Sequence, residues 1–322
     1  LSEAGKGIVA IVAACTIWGL ATLYYKAMVH VPPLEVLAHR TVWTFGFFGL
    51  LVLAQGRFRA VLALIRGPGR GRVWLAAAIV AVNWGLFIWA IQAGHAVEAS
   101  LGYYIFPLVT VLLGVIVLGE RLTRGQGVAV VLAAGAVGVL TYGLGVAPYV
   151  ALALAGTFAP YMLIKKQMAA PAAVSVTAEV MVLVPLALIW LALLHGGWLA
   201  GGMGGGVLGA GVLGAGGWFG RDVFSTVMLP VTGVITGGPL ILFSWGAQRV
   251  RLATLGLVQY LNPTLQAVVA VAVFGEAFTG WHLVAFALIW GALAIYSLEG
   301  WRQDRAARSR STSAGTSGTV AK

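Results

Sequence analysis

The 322-residue sequence predicts an all-α polytopic membrane protein of ten transmembrane helices arranged as two inverted five-helix repeats. Three observations predict it: the composition, the spacing of the charges and an internal repeat. Hydrophobic residues make up 60% of the chain and charged residues 9%, with a mean hydropathy of +0.96, a balance that no soluble domain of this size keeps in solution. Nearly all ionisable residues fall between apolar stretches of about 20 residues, the length that crosses a bilayer at ~1.5 Å per residue. Backbone amides find no water in the hydrocarbon. The stretches also lack the period-two alternation of a barrel strand, so each is expected to be a helix.

The spans, in order, are residues 7–28, 34–53, 73–93, 99–118, 125–144, 148–164, 172–194, 228–247, 252–274 and 281–298. The first is too long for a signal-peptide core, has no small-residue cleavage pattern, and ends on Tyr24, Tyr25 and Lys26 as an interfacial anchor does. It is expected to be retained. The second and seventh carry the two deeply embedded charges, Arg40 and Glu179. The fourth and ninth each hold a proline near mid-span, Pro107 and Pro263, which frees carbonyls one turn earlier, around Tyr103, Tyr104, Gln259 and Tyr260. Those carbonyls must face protein or a cavity rather than lipid.

Charge placement sets the orientation. With the amino terminus inside, about 17 Lys and Arg residues fall on the cytoplasmic side and about 2, Lys26 and Arg221, outside. The net charge of +11 thus orients the chain and implies no nucleic-acid partner. The glycine-rich stretch 196–220 is not an eleventh span: crossing there would reduce the tally to about 11 against 8. It is expected to be an external loop resting partly on the interface through Trp198, Trp218 and Phe219. The segment after Trp301 has no apolar periodicity and is expected to be disordered.

Internal repetition organises the chain. Ala99-Ser100-Leu101-Gly102, Tyr104, Pro107 and Gly119-Glu120 return as Ala253-Thr254-Leu255-Gly256, Tyr260, Pro263 and Gly275-Glu276. Lys26 and Met28 match Lys166 and Met168. Two copies of a five-helix unit follow, residues 1–145 and 146–300 with an external loop over 196–227, then a basic cytoplasmic tail, 301–322. Five is odd, so the copies are antiparallel in the membrane. Many secondary transporters share that plan, with a midplane site between the halves.

Taken together, Leu34-Glu35-Val36-Leu37-Ala38-His39-Arg40, Asn83-Trp84-Gly85-Leu86-Phe87-Ile88-Trp89-Ala90, Glu98-Ala99-Ser100-Leu101-Gly102-Tyr103, Pro239-Leu240-Ile241-Leu242-Phe243 and Gln259-Tyr260-Leu261-Asn262-Pro263-Thr264 resemble the RarD branch of the EamA-type drug/metabolite transporters. The resemblance covers about residues 5–299 and omits the glycine-rich loop and the tail. It implies an exporter of small metabolites or drugs, with helices one to four and six to nine lining the cavity and five and ten peripheral. The branch is named for chloramphenicol sensitivity.

Arg40 is the leading candidate site residue, either as a cavity guanidinium for a substrate acceptor group or as a side chain snorkelling to headgroups. His39 points ~100° away on the same helix, as a second ligand contact or a packed core histidine. Glu179, within a position or two of Arg40 by the repeat, is the proton-coupling candidate or a structural hydrogen-bond partner. Glu35 reads as a cap of its own helix. Trp18, Asn83, Trp84, Tyr103, Tyr104, Gln259, Tyr260 and Asn262 complete the candidate substrate-binding set, each also able to serve as helix–helix glue.

No phosphate-binding loop, metal-ligand spacing or nucleophile motif is present, so neither an enzyme, a cofactor nor a metal site is expected. Cys15 is the single cysteine, which rules out a disulfide within the chain. The expected partners are a small amphipathic substrate, amino-acid-like or chloramphenicol-like, membrane lipids and protons, for a monomer or weak homodimer. The expected location is a bacterial inner membrane, with both termini cytoplasmic. The competing class is a channel or passive facilitator, which would equilibrate solutes without saturation or trans-stimulation.

Overall fold

A computed structural model describes residues 2–119, 122–168, 170–196, 217–250 and 252–316, and all regular structure among them is α-helical. The helices are α1 (Glu3–Ala27), α2 (Pro33–Ala54), α3 (Phe58–Arg66), α4 (Arg70–Gln92), α5 (Ala96–Leu118), α6 (Arg124–Leu144), α7 (Tyr149–Met168), α8 (Ala172–His195), α9 (Val223–Ala247), α10 (Leu252–Gln259), α11 (Leu261–Ala272) and α12 (Gly280–Thr316). Eight of them, α1, α2, α4, α5, α6, α8, α9 and α12, are long and apolar enough to cross a membrane. Helix α7 adds 20 residues ending near Lys165 and Lys166, and α10 with α11 forms one interrupted apolar run. Leu50, Ile116, Val131 and Leu186 point outward and are largely exposed, the inside-out pattern that lipid permits and water penalises.

Local chemistry fixes the ends. The Ser2 hydroxyl accepts from the Gly5 amide at 3.1 Å to start α1, and Thr123 with Gln126 forms a reciprocal capping box on α6. Asp222 caps α9 by accepting from the Ser225 amide at 2.8 Å, a bond that holds its carboxyl below the usual range. Pro33 and Pro171 stand at the starts of α2 and α8, where a missing amide hydrogen costs nothing.

Helix pairing follows a regular scheme. Helix α1 lies against α9 and α11, and α7 against α4 and α5; α2 packs on α9, and α8 on α4. Three further pairs, α2 with α8, α5 with α11 and α6 with α12, meet directly. Glycine permits the closest approaches. A Cβ on Gly102 of α5 would stand 2.9 Å from the Ala151 carbonyl oxygen of α7, and one on Gly19 of α1 would stand 2.6 Å from Leu265 of α11.

Several expectations need correction. Residues 54–72, read as a loop, contain the amphipathic α3, whose buried Val61 joins Val52, Val73, Val174 and Ala178 in a small core at the bundle's basic end. The two mid-span prolines act differently: α5 passes unbroken through Pro107, whereas the equivalent helix is interrupted at Tyr260, ahead of Pro263. Helix α12 continues to Thr316, through most of the segment expected to lack structure, because its Ala and Arg residues are good helix formers. Residues 197–216 of the glycine-rich stretch, including Trp198, lie outside the described residues. Trp218 and Phe219, expected at the interface, are half-buried against the main core. Glu35 does not cap its own helix. It is fully buried, and its Oε1 accepts from the Trp218 amide at 2.6 Å and the Phe219 amide at 3.2 Å, tying that segment down.

Candidate functional site

The helices enclose a cavity of about 1260 Å³ whose lining includes Trp18 and Tyr25 of α1, Arg40 of α2, Trp84 and Phe87 of α4 and Tyr103 of α5. From the second half come Phe158, Tyr161 and Lys165 of α7, Phe243 of α9, and Gln259, Tyr260 and Asn262 around the break between α10 and α11. The lining reaches Gln126, Lys165, Ala172 and Leu298, which sit where α6, α8 and the apolar part of α12 meet the basic loops. Those ends belong to one side of the bundle, and there the cavity opens.

The other side is tied shut. The Glu276 carboxylate accepts from the Ala96 amide at 2.9 Å and the Val97 amide at 2.8 Å, so the loop after α11 caps the start of α5. The Gln92 side chain donates to the carbonyls of Met28 (2.9 Å) and Val31 (3.2 Å). The Tyr24 hydroxyl donates to the Met228 carbonyl, and His30 Nε2 lies 3.0 Å from the Ser225 hydroxyl.

Arg40 stands eight residues after Pro32, the N-cap of α2, and is 9% exposed. Its guanidinium lies 4.1 Å from the centre of the Trp84 ring and 5.8 Å from that of Tyr25. Such a desolvated cation–π contact contributes about 2 kcal/mol. Among the described residues no carboxylate forms an ion pair with it, and its buried Nε has no hydrogen-bond partner. It lines the cavity and does not snorkel to the surface.

Glu179 stands eight residues after Pro171, the N-cap of α8, and so holds the position in α8 that Arg40 holds in α2. It is 1% exposed. The Tyr161 hydroxyl donates to Oε2 at 2.9 Å, and the Lys165 ammonium donates to Oε1 at 2.6 Å and to the Ser175 hydroxyl at 2.6 Å. Lys165 and Tyr161 reach the cavity surface, with the glutamate behind them. Lys165, counted among the loop charges in the sequence, is thus a half-buried partner. The available signal was its spacing: Tyr161 and Lys165 are four apart, on one face of α7.

Of the candidate substrate-binding residues, Trp18, Arg40, Trp84, Tyr103, Gln259, Tyr260 and Asn262 line the cavity. Trp18 leans on Phe243 at 5.7 Å, and Asn262 accepts from Gln266 at 3.0 Å. Three do not line it. His39 faces the segment after the glycine-rich stretch, its ring 5.0 Å from Phe219, because the α-helical turn carries it away from Arg40. Asn83 is fully buried between α4 and α7, donating to Thr157 Oγ1 at 2.8 Å and the Leu154 carbonyl at 3.2 Å. Tyr104 points the other way from Tyr103, its hydroxyl 2.5 Å from Thr264 Oγ1. Helix α12, which contains the segment 281–298 expected at the periphery, contributes Ala294, Tyr296 and Ser297 near the open side. The rings of Phe87, Phe106 and Phe158 are cavity residues that the sequence reading missed, since phenylalanine on an apolar helix carries no positional signal. No cluster of three His, Cys, Asp or Glu side chains among the described residues is placed to hold a metal ion.

Residues 5–142 match the EamA-like transporter family. An uncharacterized transporter of Vibrio cholerae is 40% identical over 309 residues, covering 95% of this chain and 96% of its own. Protein RarD of Salmonella typhi is 39% identical over 296 residues, covering 91% and 95%. A solved crystal structure, 19% identical, covers 93% of this chain and 99% of its own with a TM-score of 0.57, a likeness of fold. An embedded cavity between apolar helices and close relatives along nearly the whole chain lead to one assignment: the chain belongs to the RarD-like branch of the EamA family and is an integral membrane transporter.

Proposed function

We propose that the chain is a secondary transporter of the bacterial inner membrane that exports small amphipathic solutes by alternating access. Its ten spans form two inverted five-helix repeats, with α10 and α11 together as the ninth. Exchanging α1 with α7, α2 with α8, α4 with α9, α5 with the α10–α11 pair and α6 with α12 maps the helix pairings onto one another, which supports the repeat. One break in this equivalence, an intact α5 against an interrupted α10–α11, is what two halves in opposite conformations would show. The closed side and the open, basic side then correspond to outside and cytoplasm. That is the state that loads from within.

The observation carrying the proposal is the cavity-facing guanidinium of Arg40, buried, stacked on Trp84 and, among the described residues, lacking a carboxylate partner. A charge left so inside a membrane is costly unless a ligand completes it. In proteoliposomes, Arg40→Ala is expected to abolish saturable, substrate-dependent flux. Retained flux at unchanged affinity would remove Arg40 from the site. Counterflow tests the carrier itself: trans-stimulation by internal substrate is expected, and its absence with non-saturating flux would mark a facilitator.

Glu179 is the proposed proton-coupling group, since it is a carboxyl inside the bundle joined to the cavity through Lys165 and Tyr161. Glu179→Gln is expected to flatten the pH profile of flux. An unaltered profile excludes it.

A further inference from the structure

We propose that the cavity selects a monoanionic ligand with an aromatic body, an arylalkanoate-type carboxylate, over zwitterions and amines; this rests on the transporter function above and narrows its substrate class. Among the described residues, the charged side chains on the cavity surface are Arg40 and Lys165. Lys165 is matched by Glu179 at 2.6 Å. Arg40 is matched by nothing, so the site holds one uncompensated positive charge. The carboxylate that a zwitterion's ammonium would need is held by Lys165, and Tyr161 occupies its second oxygen. An amine would meet only like charge.

Geometry places the aromatic part. Trp84 covers one face of the guanidinium and its Nε is buried, which leaves the two terminal nitrogens to donate to a carboxylate in parallel hydrogen bonds. From Tyr25, under the same guanidinium, a file of rings runs along the cavity wall: Tyr25 to Phe87 at 5.9 Å, Phe87 to Tyr103 at 5.6 Å, Tyr103 to Phe158 at 5.7 Å and Phe158 to Tyr161 at 5.8 Å. It joins the unpaired cation at one pole to the neutralised pair at the other. A flat apolar body extending from the carboxylate lies along that wall, where edge-to-face and stacked contacts are both available. The open side carries exposed basic residues, including Arg124 and Lys166, whose field raises the local concentration of anions at the mouth.

The test uses the full chain, purified in detergent, and three probes that share an indole ring: indole-3-acetate, tryptamine and tryptophan. Calorimetric titration of the unaltered protein is expected to show indole-3-acetate binding at least about tenfold more tightly than the other two, the scale of one charge-assisted contact. Arg40→Gln is expected to erase the preference and Arg40→Lys to retain part of it. If Arg40→Gln cannot be prepared folded, the probe series on the unaltered protein decides alone. Equal affinity for the three, tighter binding of tryptamine or tryptophan, or an undiminished preference in Arg40→Gln overturns the proposal. Because binding is read without a gradient, the two ideas fail separately. Selective binding of the anion without flux in proteoliposomes counts against transport, whereas flux of tryptophan at equal affinity counts against anion selection alone.

Discussion

Lys165 forms, with Glu179, the most buried ion pair among the described residues. Its ammonium and the Glu179 carboxylate are 2.6 Å apart with side-chain exposures of 17% and 2%. Removing one partner of a buried pair strands the other, at a cost of about 3–5 kcal/mol, while removing both exchanges an ion pair for packing and can be neutral. Lys165→Met is therefore expected to lower the melting temperature of the purified protein markedly, and the Lys165→Met, Glu179→Gln double variant to recover most of the loss. A double variant as unstable as the single one would refute the coupling. Arg40 was legible in the sequence because charge inside an apolar run is rare and costly. Lys165 was not, because it adjoins Lys166 where basic residues are expected, and its four-residue spacing from Tyr161 was the one pattern that set it apart. That His39, Asn83 and Tyr104 do not line the cavity was hidden for a related reason: a helix surrounded by apolar neighbours does not show which of its faces meets a cavity and which meets another helix.

At the scale of elements, the closed side depends on contacts that reach between the halves. Glu276 follows the end of α11 and accepts from the Ala96 and Val97 amides of α5, two of the orphan donors that open any helix. A carboxylate at a helix start contributes about 1–2 kcal/mol in a partly buried setting. Glu276→Ala is expected to speed hydrogen exchange at those two amides by about tenfold or more while leaving mid-helix α5 protected. Unchanged exchange there would show that the closure does not depend on this contact. The Gly275-Glu276 motif was visible as a repeat of Gly119-Glu120, but what it binds was not, since the partner lies 179 residues or more away in sequence. Helix α3 was missed because nine residues between two spans read as a connector, although Phe58, Val61 and Ile65 fall on one helical face. The break at Tyr260 and the continuity at Pro107 could not be told apart from proline alone, because a helix tolerates proline wherever neighbours satisfy the freed carbonyl.

The inverted arrangement proposed for the whole molecule rests on arithmetic that the sequence did contain: an odd number of spans per repeat, and basic residues gathered on one side. Its test needs both sides of the membrane. Val29, 56% exposed in the turn after α1, and Gln55, exposed just beyond α2, lie at opposite ends of the bundle. Cys15, the native thiol, is fully buried in α1, so a cysteine introduced at either position supplies the reactive group. In intact cells a membrane-impermeant maleimide is expected to label Val29→Cys at once and Gln55→Cys only after the membrane is opened. The reverse pattern would invert the protein and turn an open cytoplasmic mouth into an external one. Adding an arylacetate should then alter the labelling rate of a cysteine at Val176, one helical turn past Ala172 on the open side of the cavity, if the ligand draws the halves toward closure. A rate that ignores saturating ligand, in a protein that binds it, would mean that occupancy and gating are uncoupled, and alternating access would no longer describe this chain.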